Sequence, residues 1–134
     1  MKEESRRVIY LIHDEEPTRQ RIKRMIRSAG MDVRTFATTR EFLDYDYENQ
    51  NTCLLVQVER SGHTGLELQK KLVKQGEHLP VIFITPFYSK EIRDQTKKAG
   101  AVGYLKEPVD DQALLDMIQW ALTGKRKRGR NIRS

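Results

Sequence analysis

Disulfides and membrane spans are what this chain most plainly lacks. It has one cysteine, Cys53, so no internal disulfide can form, which fits a reducing compartment. A lone thiol beside Leu54, Leu55 and Val56 reads as a small apolar residue on a buried strand. No apolar run approaches the roughly 20 residues that cross a bilayer. The opening residues, Met1 to Arg7, lack the apolar core of a secretory leader. A cytoplasmic protein with no membrane contact is therefore expected. Acid is also missing from one place: the last eleven residues hold Lys125, Arg126, Lys127, Arg128, Arg130 and Arg133 and no Asp or Glu. Taking these six from the 25 lysines and arginines leaves 19, against 19 acids, in residues 1–123. The net charge of +6 thus belongs to a tail. That tail has almost nothing apolar to pack, so residues 1–123 are expected to form one domain and 124–134 a basic disordered tail or the start of a linker.

What is present is an alternation of apolar runs and helical patterns. Val8 to Ile12 is a continuous apolar strand of the kind buried on both faces. Pro17 suits the first turn of a helix with Ile22, Met25, Ile26 and Ala29 on its apolar stripe and Gly30 as its stop. Val33 to Phe36 is a weaker strand, followed by a helix over Thr39–Tyr47 capped by Thr38. A third strand ends at Gln57, and the next helix spans Thr64 to Gln75 with Leu66, Leu68 and Leu72 inward. Pro80 to Thr85 makes the fourth strand, Ser89 to Ala99 a polar helix closed by Gly100, and Val102 to Lys106 a short fifth strand. The last helix starts at Asp110 or Asp111 and carries Leu114, Ile118 and Ala121, flanked by Ala113, Met117 and Trp120. Its apolar sector is wider than one packing face needs. Five such units predict a doubly wound, five-stranded parallel sheet of the flavodoxin-like (βα)5 kind, with its site at the C-terminal ends of the strands.

Gln57 stands at such an end. A carboxylate there could carry a phosphoryl group, but a carboxamide is neutral and a poor nucleophile and cannot form an acyl phosphate.

The order of elements, together with Asp14-Glu15-Glu16-Pro17, Gly65-Leu66-Glu67-Leu68, Leu79 to Thr85, Lys98-Ala99-Gly100-Ala101-Val102 and Pro108, resembles the receiver domain of bacterial two-component response regulators. The similarity is to the FixJ type, whose receivers usually precede a helix-turn-helix output domain, and it covers residues 7–122. The resemblance implies a phosphorylation switch. Two acids after the first strand and an acceptor aspartate after the third hold magnesium, a hydroxyl and a lysine bind the phosphoryl oxygens, and an aromatic residue changes rotamer. On that pattern Asp14 matches the second acid and a magnesium ligand, Thr85 the hydroxyl, and Tyr104 the aromatic switch. Pro108 matches a proline that follows a cis bond in relatives.

Five positions depart. His13 replaces the first acid and Gln57 the acceptor. Ser61 replaces a loop-shaping proline. Pro86 lacks the backbone N–H that relatives donate to the phosphoryl group. Glu107 puts a negative charge where a lysine should meet that group. Lys106 precedes it, but neighbouring strand residues point to opposite faces, so a local bulge would be needed to bring it in. His13 has an alternative reading as a satisfied, partly buried histidine. Together the losses remove nucleophile, cation and one N–H donor, and phosphoryl transfer is not expected. Asp14 is the one matching carboxylate for magnesium, with Glu15, Glu59 and Glu107 as possible neighbours. An ion-free pocket with no cofactor is expected, with weak attraction of a magnesium ion by these acids as the open alternative.

Three functions follow. The first is a non-enzymatic pseudo-receiver acting as a protein-interaction module. It would bind a partner or a second copy through the face of the fourth helix, fifth strand and fifth helix, with Tyr104, Met117 and Trp120. The second is nucleic-acid binding through the basic tail, helped by Arg19, Arg21, Lys23, Arg24 and Arg27, or service as the receiver part of a transcriptional regulator. The tail offers no aromatic residue for stacking on bases. The third is a phosphorylated receiver with another acceptor, for which Glu59 is the nearest candidate.

Overall fold

In a computed structural model of the chain, residues 7–48, 50–58, 63–77, 79–87 and 89–123 are described. Five strands alternate with five helices: β1 Val8–Ile12, α1 Glu16–Ser28, β2 Asp32–Phe36, α2 Thr39–Leu43, β3 Thr52–Gln57, α3 His63–Lys74, β4 Val81–Thr85, α4 Lys90–Lys98, β5 Gly103–Lys106 and α5 Asp111–Thr123. The strands form one sheet in the order β2-β1-β3-β4-β5, and every pairing is parallel. This is the doubly wound α/β architecture expected from the pattern.

Side-chain alternation on the strands splits the core into two layers. Val8, Tyr10 and Ile12 of β1 pack with Phe42, Leu68, Leu72 and Ile92 on the face covered by α2, α3 and α4. Ile9 and Leu11 pack with Ile22, Ile26, Leu114 and Ile118 on the face covered by α1 and α5. Strands buried on both faces have no polar side to show, which is why β1 and β4 read as unbroken apolar runs. Cys53 is fully buried on β3. Burial pushes its thiol up, so it stays protonated and behaves as an apolar filler.

Several boundaries differ from the sequence pattern. α2 ends at Leu43 instead of running to Tyr47. Tyr45 and Tyr47 leave the helix to pack edge-on against the Tyr10 ring, with centroids 6.0 and 6.2 Å away. Tyr47 also stacks on Phe42 at 4.6 Å, so an aromatic cluster overrides one more turn of helix. Ala29 sits at the C-cap of α1 and is exposed, not on its buried stripe. Leu66 is only partly buried, whereas Leu68 and Leu72 are core. The Thr38 hydroxyl caps α2 by accepting the Glu41 N–H at 3.1 Å, and the Asp110 carboxylate accepts the Ala113 N–H at the start of α5. Among the described residues no helix is long and apolar enough to cross a membrane.

Candidate functional site

Parallel strands bring their C-terminal ends to one edge, and there β1, β3, β4 and β5 present His13, Gln57, Thr85 and Glu107. His13 follows the last residue of β1 and is 1 % exposed. Its Nε2 lies 2.5 Å from Oε2 of Glu107, which is 13 % exposed. On the other side of the ring, Nδ1 accepts the backbone N–H of Glu15 at 3.2 Å. A nitrogen that accepts cannot also carry a proton, so this geometry assigns the proton to Nε2, where it is donated to the Glu107 carboxylate. Arg19 fixes the same segment from α1 by donating from Nη1 to the His13 carbonyl at 2.7 Å.

The other pocket groups also have partners inside the protein. Gln57 Oε1 accepts the Asp14 backbone N–H at 3.0 Å, so its amide oxygen faces β1. Thr85 is fully buried, and its hydroxyl accepts the Phe87 N–H at 3.1 Å across the exposed Pro86. Tyr104 donates its hydroxyl to the Phe87 carbonyl at 2.9 Å, which ties the loop after β4 to β5. The Glu107–Pro108 bond is cis. Lys106 is exposed at the end of β5, and it is the neighbouring Glu107 that turns to His13. The alternation argument against Lys106 therefore agrees with the geometry.

His13 and Glu107 thus form a pair of complementary groups reaching across the strand ends. Each had read in the sequence as a separate loss. Arg19 had been read only as a cation of the basic first helix, and Phe87 was missed. The Thr-Pro-Phe spacing was the available signal for Phe87, since a threonine hydroxyl readily bonds a backbone N–H two residues on. Glu59 and Ser61 lie outside the described residues, as does the basic tail from Lys125 to Arg133.

Magnesium needs several hard oxygen ligands. Here His13 offers nitrogen, Glu107 faces His13, and Gln57 Oε1 faces a backbone N–H. Asp14, 72 % exposed, is the one carboxylate among the matched positions, and its Oδ1 lies 4.0 Å from His13 Nδ1. Among the described residues no three His, Cys, Asp or Glu side chains are grouped to hold a metal ion. The described residues of the pocket do not fit a magnesium ion.

Of the three residues expected on the interaction face, Tyr104 and Met117 lie at β5. The Met117 thioether covers Gly103, where an added Cβ would come within 2.7 Å of its Cε. Trp120 stands one helical turn after Met117 on α5. It is 51 % exposed and lines a cavity with Arg7, Ala29 and Met31, to which β5 and α4 contribute nothing among the described residues. The wide apolar sector of α5 serves two sides of the molecule.

Residues 9–119 match the response regulator receiver domain family. The chain belongs to that family. The receiver is 32 % identical over 119 residues to the transcriptional regulatory protein TdiR of Thauera aromatica, covering 89 % of this chain and 52 % of that protein. It is 32 % identical over 121 residues to nodulation protein W of Bradyrhizobium diazoefficiens, covering 90 % and 53 %. It therefore spans about half the length of the curated relatives it matches. The response regulator StyR superposes with a TM-score of 0.79 at 31 % identity, covering 88 % of this chain and 60 % of that one. FixJ-N superposes with a TM-score of 0.79 at 24 % identity, covering 88 % and 94 %, which shows the shared fold. The receiver is accordingly a signalling module of two-component systems.

Proposed function

We propose that this receiver works as a non-enzymatic protein-interaction module whose state does not depend on an aspartyl phosphate. The observation that carries the reading is the His13–Glu107 contact at 2.5 Å. It places a carboxylate where an incoming phosphoryl group would need a cation, and like charges at contact repel strongly away from bulk water. Gln57 adds the loss of a nucleophile, and Pro86 the loss of an N–H donor. The folded unit is residues 1–123, with 124–134 a tail or linker, and the protein works in the cytoplasm.

The interaction face we favour is formed by α4, β5 and α5. Tyr104 lines a cavity of about 190 Å3 there with Arg93, Thr96, Lys97, Ala101 and Val102, and Val102 is 37 % exposed. A partner protein or a second copy of the chain would occupy it. The relatives are about twice as long, and one is named a transcriptional regulatory protein, which supports a place for this receiver within such a regulator.

Incubation with acetyl phosphate and magnesium, followed by intact mass, tests the reading. No phosphoryl adduct is expected, either on the native chain or on Gln57→Asp, because Glu107 and Pro86 still oppose transfer. An efficient adduct on either protein would overturn it, and on the native chain would direct attention to Glu59.

A further inference from the structure

At the opposite end of the sheet from the receiver pocket, an open cavity of about 650 Å3 lies along the seam between α1 and α5. Ala29 at the C-cap of α1, Met31 beyond it and Arg7 before β1 form one side. Leu115, Asp116 and Trp120 of α5 form the other. We infer that this seam is a self-association surface, on which a second copy of the chain packs about a two-fold axis.

Three observations point to a second copy. The first is the charge of the two helices. From Pro17 to Ser28, α1 carries Arg19, Arg21, Lys23, Arg24 and Arg27 and no acid, whereas α5 carries Asp111 and Asp116 and no cation. A two-fold axis across the seam sets the α1 side of each copy against the α5 side of the other, so opposite charges meet twice. The second is that the seam already uses this pairing within one copy, where Arg21 Nη1 lies 3.5 Å from Oδ1 of Asp111. The third is the lining itself, which holds one cation, Arg7, and one acid, Asp116. Under the same axis each of them faces its opposite, so the lining is complementary to its own copy.

Trp120 supplies apolar contact between those charges. It is half exposed and shares the lining with Met31 and Leu115, and Trp, Met and Arg are residue types that interfaces favour. Pairing two copies takes both indoles out of water together. The patch is small, with nine residues lining it against roughly 20–30 a side in a stable complex. The dimer is therefore weak and reversible, and at the low protein concentrations of an unfolding measurement the chain is a monomer. The α4–β5 face stays open for a different protein, and neither surface depends on the chemistry at Gln57.

Sedimentation equilibrium of the full chain from about 1 µM to about 1 mM reads the association. The mass is expected to rise from monomer towards dimer with concentration. The emission of Trp120, the chain's one tryptophan, should shift to shorter wavelength with it. Trp120→Ala should weaken the dimer by about 30-fold or more with an unchanged circular dichroism spectrum, and Val102→Glu on the α4–β5 face should leave it as it is. Charge reversal keeps the reporter. Arg7→Asp and Asp116→Arg should each weaken self-association by roughly 5- to 30-fold, since like charges then meet twice. Mixing these two variants in equal amounts should restore a dimer, because each then offers the other an opposite charge at both contacts. Four results would overturn the surface. They are a monomer at every concentration, a dimer indifferent to Trp120→Ala and to both reversals, reversal variants that stay apart when mixed, or a dimer lost with Val102→Glu.

Discussion

At the C-terminal ends of its strands the sheet carries polar side chains that bond one another or the adjoining backbone. At the N-terminal ends a half-exposed indole lines an open cavity with Arg7, Met31 and Leu115. His13, Gln57, Thr85 and Glu107 each have a partner inside the protein, whereas Trp120, Met31 and Leu115 line a cavity of about 650 Å3. The contrast separates two kinds of cost. An unpaired polar group at a buried strand end costs about 1–3 kcal/mol, so changes there must come as complementary sets. A half-exposed surface aromatic costs the fold little. The receiver pocket has been refitted without being left unsatisfied, and the far end of the sheet has been left open.

The sharpest way to break this comparison is at His13. Replacing it with Ala leaves the Glu107 carboxylate without its donor and the Glu15 N–H without its acceptor. A loss of about 2 kcal/mol of stability is expected in urea denaturation. Tyr104→Phe removes the hydroxyl that reaches the Phe87 carbonyl and should cost about 1 kcal/mol, since that loop is partly solvated. Trp120→Ala should change stability by no more than about 0.5 kcal/mol, as for a surface position away from the core. If Trp120→Ala costs as much as His13→Ala, the indole belongs to the fold and the contrast between the two ends fails.

Much of the fold was legible because strands buried on both faces read as continuous apolar runs. β1 and the end of β3 at Gln57 fell where the pattern put them. α2 did not, because Tyr45 and Tyr47 gain more from the rings of Tyr10 and Phe42 than from another turn of helix. The pocket positions were legible one at a time. What the sequence hid was their relation, since His13 and Glu107 are 94 residues apart and no local pattern links them. Two apparent defects turn out to be two halves of one contact.

The central claim is that His13 and Glu107 act as one pair. A double-mutant cycle tests it most directly, with His13→Asp, Glu107→Lys and the double variant followed by urea denaturation. Each single change should destabilise, since the first sets two carboxylates together and the second sets an ammonium against an imidazole N–H. The double variant restores complementary charges and should be more stable than the sum of the single losses by about 1–3 kcal/mol. A coupling energy of zero within error would contradict the account.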